Sequence, residues 1–108
     1  MKLVIVESPY AGDVDKHVRY ARAAMKDCLR RGEAPYASHL LYTQPGVLDD
    51  TIHEDRALGI EAGLAWGRQA QVTVVYTDCG ISNGMKMGIA RAEAEGRTVE
   101  YRSLPEWQ

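Results

Sequence analysis

The chain has 108 residues, 45% hydrophobic and 26% charged, which suits one compact domain over residues 1–108 and leaves little room for a second. Its formal net charge of -2 excludes a protein that tracks duplex nucleic acid, which needs a basic face, but leaves open a small anionic ligand in a local pocket. No apolar run approaches a membrane span, and the apolar start turns polar at Glu7 and Ser8 too soon for a signal peptide, so no membrane partner is expected and the cytoplasm is the expected location.

Leu3 to Val6 is a continuous apolar run, the pattern of a strand covered on both faces. It stops in a turn-rich loop, Ser8 to Asp13, where Asp13 is placed to cap a helix. Val14, Val18, Ala21, Met25, Cys28 and Leu29 then repeat at helical spacing, and Arg30-Arg31-Gly32 closes that helix with cations and a glycine stop. Ala37 to Tyr42 reads as a second, more polar strand. After a loop through Pro45-Gly46, Thr51 and Glu54 fit a capping box that starts a second helix near Ile52. Gly59, Gly63 and Gly67 fall along one side of it. Each costs about 1 kcal/mol against alanine, so a close approach to the sheet or to a second subunit is expected there. Val72 to Tyr76 is a third, β-branched strand. Thr77 to Gly84 is a second polar loop, Ser82 can cap a third helix that ends at Gly96, and Thr98 to Tyr101 is the last strand.

Strict alternation of strand and helix implies right-handed crossovers: an α/β domain with a small parallel sheet of about four strands and helices on both faces. Ligands of such sheets bind beyond the carboxyl ends of the strands, where the strand order reverses. Three loops are expected at that edge: Ser8 to Asp13, His39 to Tyr42, and Thr77 to Gly84.

The first loop, Ser8-Pro9-Tyr10-Ala11-Gly12-Asp13, lacks the glycine spacing of a dinucleotide fingerprint and the Gly-Lys-Ser/Thr of a Walker loop. Tyr10 either stacks on a base or covers the sheet edge. Asp78, directly after the third strand, can bind a ribose hydroxyl, accept a proton, or hold its own turn. Ser82-Asn83-Gly84 opens a helix whose free N–H groups suit an anion, although capping by Ser82 serves the helix alone. His17 reads as solvated, His53 as a water-facing residue of a first helical turn, and His39, at a strand end, as the histidine of interest. The histidines and the two cysteines, read as free thiols, have no metal-site spacing. No metal or cofactor is expected. Asp49, Asp50, Glu54, Asp55 and Arg56 read mostly as a solvated helix start; Asp55 and Arg56 reach the site only if their loop folds over the strand ends.

The order of Val4-Ile5-Val6-Glu7-Ser8-Pro9-Tyr10, Ala37-Ser38-His39-Leu40, Glu54-Asp55-Arg56, Asp78-Cys79-Gly80-Ile81-Ser82-Asn83-Gly84-Met85 and Gly96-Arg97-Thr98-Val99-Glu100-Tyr101-Arg102 resembles the nucleoside 2-deoxyribosyltransferase-like superfamily. The similarity is greatest to its short phage and bacterial members of unassigned function. The resemblance implies a three-layer flavodoxin-like or Rossmann-like domain, assembled as a homo-oligomer, dimer or higher, with sites near the subunit interface. It also implies a nucleoside- or nucleotide-type ligand held by Ser8, Pro9, Tyr10, Asp13, His39, Asp55, Arg56, Asp78, Ser82, Asn83, Gly84, Met85 and Gly88. In the family's enzymes a glutamate on the helix after the Ser-x-Gly turn attacks the anomeric carbon, and the resemblance places Gly88 at that position. Glycine offers no nucleophile, so the expectation is a binder of a nucleoside, nucleotide or nucleotide-derived signal without glycosyl transfer, such as a phage-type sequestering protein. Two alternatives stand beside it: an N-glycosidase using Asp78 or Asp55 to activate water, and a structural oligomer with a vestigial pocket.

Overall fold

A computed structural model describes residues 1–108. Its strands are β1 (Lys2–Glu7), β2 (Glu33–Tyr36), β3 (Val72–Tyr76) and β4 (Thr98–Arg102), and its helices α1 (Val14–Arg30), α2 (Ser38–Leu41), α3 (His53–Gly67) and α4 (Asn83–Ala94), followed by a 3₁₀ turn at Pro105–Trp107. The four strands run parallel in the order β2-β1-β3-β4. The chain leaves β1 toward one edge and returns to β3 on the other side, so the order reverses between β1 and β3, where ligands of such sheets enter.

Right-handed crossovers put α1 on one face and α3 and α4 on the other. The core lies mainly on the α1 side, where Val4, Val6, Val74 and Tyr76 pack with Tyr20, Ala24 and Cys28. Strand alternation turns Ile5, Glu7 and Thr73 toward α3 and α4. All five residues of β3 are buried, as its continuous apolar sequence requires of a central strand.

Asp13 caps α1 by accepting from the Lys16 N–H at 3.3 Å, and Ser82 caps α4 by accepting from the Met85 N–H at 3.3 Å. Two expectations from the sequence are corrected. The second strand is Glu33–Tyr36, not Ala37 to Tyr42. Gly32, with φ +80, reverses the chain at once behind α1, and Pro35 is tolerated because β2 is an edge strand. The segment expected as a strand instead forms the single turn α2. The capping box at Thr51 does not form: the Thr51 hydroxyl donates to Asp49 Oδ1 at 2.6 Å, and α3 begins without a side-chain cap.

The glycines of α3 meet three different neighbours. A Cβ at Gly63 would stand 2.7 Å from Ser38 Oγ, one at Gly67 would meet Arg97 and Ile5, and one at Gly59 would meet Leu48. The helix therefore lies close against α2, the sheet and the loop before it. No helix is long and apolar enough to cross a membrane.

Candidate functional site

The loop after β1 and the long segment between α2 and α3 enclose an open cavity of about 1010 Å³ at the carboxyl edge of the sheet, at the upper end of the ~300–1,000 Å³ usual for small-molecule sites. Tyr10 and Gly12 line one side; Thr43, Thr51, Asp55 and Arg56 line the other. The segment before α3 faces the loop after β1 across this cavity. Asp55 Oδ2 accepts from the Asp49 N–H at 2.8 Å, which draws that segment onto the start of α3, while Arg56 stays exposed. Tyr10 is fixed from behind by His17, whose Nδ1 lies 3.0 Å from the Tyr10 carbonyl oxygen. His17 is thus half-buried and engaged, where the sequence suggested a solvated residue.

Just before Tyr10 in the chain, Ser8 Oγ lies 2.7 Å from His39 Nε2. Ser8 comes from the buried end of β1 and His39 from the first turn of α2, so the bond ties two strand ends together. Burial pushes the His39 pKa down to about 4, so its ring is neutral at physiological pH. His39 also lines a small chamber of about 60 Å³ with Tyr42, Asp55 and Arg56, which joins it to the cavity residues.

Not every expected residue arrives there. Asp13 is engaged in capping α1, Pro9 is buried and does not line the cavity, and Ser82, Asn83 and Met85 belong to the start of α4 and do not line it either. Asp78 is directed to the α1 face. Its Oδ2 accepts from the Tyr20 hydroxyl at 2.7 Å and the Leu104 N–H at 2.8 Å, and its Oδ1 from Gln108 Nε2 at 3.4 Å. Burial opposes its ionisation, but these hydrogen bonds outweigh burial and hold its carboxyl below the usual range. A second group of buried charge is likewise paired internally: Arg102 donates to Glu33 at 2.8 and 2.7 Å, to Glu100 and to Tyr76, and only its Nε is left without a partner.

Gly88 lies against Glu7. A Cβ at this position would meet Glu7 Cδ at 2.5 Å, and it would overlap the carboxyl oxygen Oε2. The space above Gly88 is occupied by the last side chain of β1. Glu7 and Gly84 share a second chamber of about 60 Å³ with Ser38, Thr73, Gly88 and Arg97. Burial raises the Glu7 pKa to about 8, against the opposing effect of the Arg97 guanidinium. Sequence reasoning passed over Glu7; the available signal was a charged residue directly after the apolar run Leu3 to Val6.

A family described as a domain of unknown function (DUF7768) matches residues 2–102. The chain belongs to this family. No curated protein matches it. Among solved structures, the DUF7768 domain is similar to a 2-deoxyribosyltransferase from the psychrotolerant bacterium Bacillus psychrosaccharolyticus, at 17% identity and a TM-score of 0.65, over 94% of this chain and 72% of the other. At that identity the likeness is one of fold: a three-layer α/β domain with an all-parallel sheet. The expected relationship to the deoxyribosyltransferases is thereby supported as a distant structural one.

Proposed function

We propose that this DUF7768 domain binds a nucleoside, nucleotide or nucleotide-derived molecule at the carboxyl edge of its sheet, without glycosyl transfer through residue 88. The observation that carries the reading is the cavity of about 1010 Å³ in which an aromatic ring, Tyr10, stands across from a carboxylate and a guanidinium, Asp55 and Arg56. Tyr10 supplies a stacking surface for a base, Arg56 a charge for a phosphate, and Asp55 an acceptor for sugar hydroxyls. The fold shared with a 2-deoxyribosyltransferase adds support by analogy. A side chain at position 88 has no space while Glu7 lies there. A protein that holds such a ligand intact would sequester it.

The hydrolytic alternative rests on Asp55, since the Asp78 carboxylate is committed to Tyr20 and the C-terminal tail. We also propose self-association through α3 and α4, which places the cavity beside a subunit interface.

Incubation with a panel of nucleosides, nucleotides and cyclic ADP-ribose-type compounds tests the reading. A thermal shift and recovery of intact ligand from the denatured protein are expected, with Tyr10→Ala weakening binding about tenfold or more, as loss of base stacking does. Release of free base would replace the binder with the hydrolase. No shift with any compound would leave neither.

A further inference from the structure

Glu7 differs from the other inward-facing charges of this chain. Arg102, Glu33 and Asp78 each have hydrogen-bonded partners. The Glu7 carboxyl has none, and only burial and the charge of Arg97 act on it. Arg97 is itself engaged, its Nε donating to Thr73 Oγ1 at 3.0 Å and its guanidinium paired with Glu95 at 2.7 Å. Glu7 is half-buried as a residue, and a carboxyl largely withdrawn from water with no hydrogen bond inside the chain is a cost to folding; such costs concentrate at functional sites.

Its position is equally specific. Glu7 ends the central strand β1 and is paired in register with Val75 of β3, at the point where the strand order reverses. Its chamber, about 60 Å³, has room for about two waters or for the edge of a ring. That chamber shares Ser38 and Ile60 with the His39 chamber, which in turn shares Asp55 and Arg56 with the large cavity. The three spaces stand as a series of neighbours with shared walls, Tyr10 lining the first and Glu7 the last. Gly84 and Gly88 keep the α4 side of the last free of side chains.

We propose that Glu7 is a ligand-recognition residue: its carboxyl, seated against Gly88 in the last of these spaces, receives a ligand edge that presents a hydrogen-bond acceptor beside a donor, as the ring edge of a nucleobase does. The proposal rests on the binding function above. A neutral carboxyl offers one donor and one acceptor side by side, whereas the ionised form only accepts. Recognition of a mixed edge therefore uses the protonated form and weakens as the carboxyl ionises. Around neutral pH no other neighbour changes charge. Arg97 is paired with Glu95; the Tyr36 phenol of β2 is pushed above its usual range by burial; His39 is pushed down to about 4. From α3 the chamber receives Ile60, Gly63, Leu64 and Gly67, and from β3 Thr73, none of them titratable there.

The test is calorimetric titration of the whole chain with adenosine, cytidine, guanosine, uridine and their 5′-monophosphates at pH 6.5 and 9. Wild-type affinity for the compounds bound is expected to fall about tenfold between the two, as one pH unit above the carboxyl pKa dictates. Glu7→Gln, which keeps a donor and an acceptor permanently, is expected to bind within about threefold of wild type at pH 6.5 and to lose the pH dependence. Its curve also corrects for titration of the ligand itself. Glu7→Leu is expected to lose at least about tenfold at both pH values, and Gly88→Ala, whose Cβ displaces the carboxyl, to weaken binding in the same direction. Circular dichroism checks the fold of each variant. Wild-type affinity in a folded Glu7→Leu chain, or a pH dependence that survives in Glu7→Gln, overturns the proposal while leaving the binding function intact. Absence of binding to every compound removes both.

Discussion

Ser8 and His39 meet where β1 ends and α2 begins, with Ser8 Oγ 2.7 Å from His39 Nε2. Burial holds the His39 pKa at about 4, whereas an unfolded histidine titrates near ~6.5. Between those values the unfolded chain binds a proton that the folded chain refuses. The contribution to stability is therefore complete above about pH 6.5 and is lost as the pH falls toward 4. Urea midpoints of the wild type should decline between pH 7 and 4.5 more steeply than those of His39→Gln, which cannot titrate. Parallel slopes would place the acid sensitivity elsewhere. Glu7 acts in the opposite sense: with its pKa raised to about 8, the folded chain holds a proton that the unfolded chain releases, so its contribution is largest in acid and is lost as the pH rises through 8.

At the scale of elements, Asp78 fastens the C-terminal tail to α1 and β3. Its carboxylate takes hydrogen bonds from Tyr20 and from the Leu104 N–H, and Trp107 packs edge-on to Tyr20 with ring centroids 5.1 Å apart. Asp78→Ala should cost roughly 2–3 kcal/mol, the value of hydrogen bonds to a charged group, and free the tail, seen as a red shift in Trp107 emission. Ligand affinity should hold, because Asp78 does not line the cavity. Lost affinity in a chain of unchanged stability would return Asp78 to the binding site.

The same element shows what can be read from sequence and what cannot. An aspartate after a buried strand marks the sheet edge, and α1, β3 and the caps at Asp13 and Ser82 follow from local pattern. Which face that aspartate serves depends on Leu104 and Gln108, far along the chain, and no local pattern carries that. The shift of β2 to Glu33–Tyr36 has a similar origin, since Pro35 argues against a strand until its place at the sheet edge is known. Tyr10 was legible as a candidate stacking residue, whereas Asp55 and Arg56 read mostly as a solvated helix start, and their place across from the Tyr10 loop depends on the packing of a long segment. The partnership of Glu7 with Gly88 joins residues on β1 and α4 and became visible only once those elements were packed.

For the whole molecule, α3 and α4 present apolar surface that nothing in the chain covers. Only Gly67 of α3 is buried, while Leu58, Trp66 and, on α4, Met87 are 56%, 57% and 50% exposed. Between the helices runs a groove lined by Ala57, Ile60, Leu64 and Met87 together with His53, Arg56 and Glu61. His53 and Arg56 also line the large cavity, so a second copy seated in the groove would lie beside the ligand. Removing these side chains from water favours association by about 25 cal/mol per Å² of apolar surface. Sedimentation equilibrium should show a dimer or higher oligomer at micromolar concentration. Met87→Glu should shift it toward monomer without loss of helical signal, since the residue is exposed in the single chain. Because Arg56 belongs to both surfaces, Met87→Glu should also weaken ligand binding, and saturating ligand should tighten self-association by the same factor. A monomeric wild type would detach the cavity from any interface. A dimer indifferent to both the variant and the ligand would move the interface to another face.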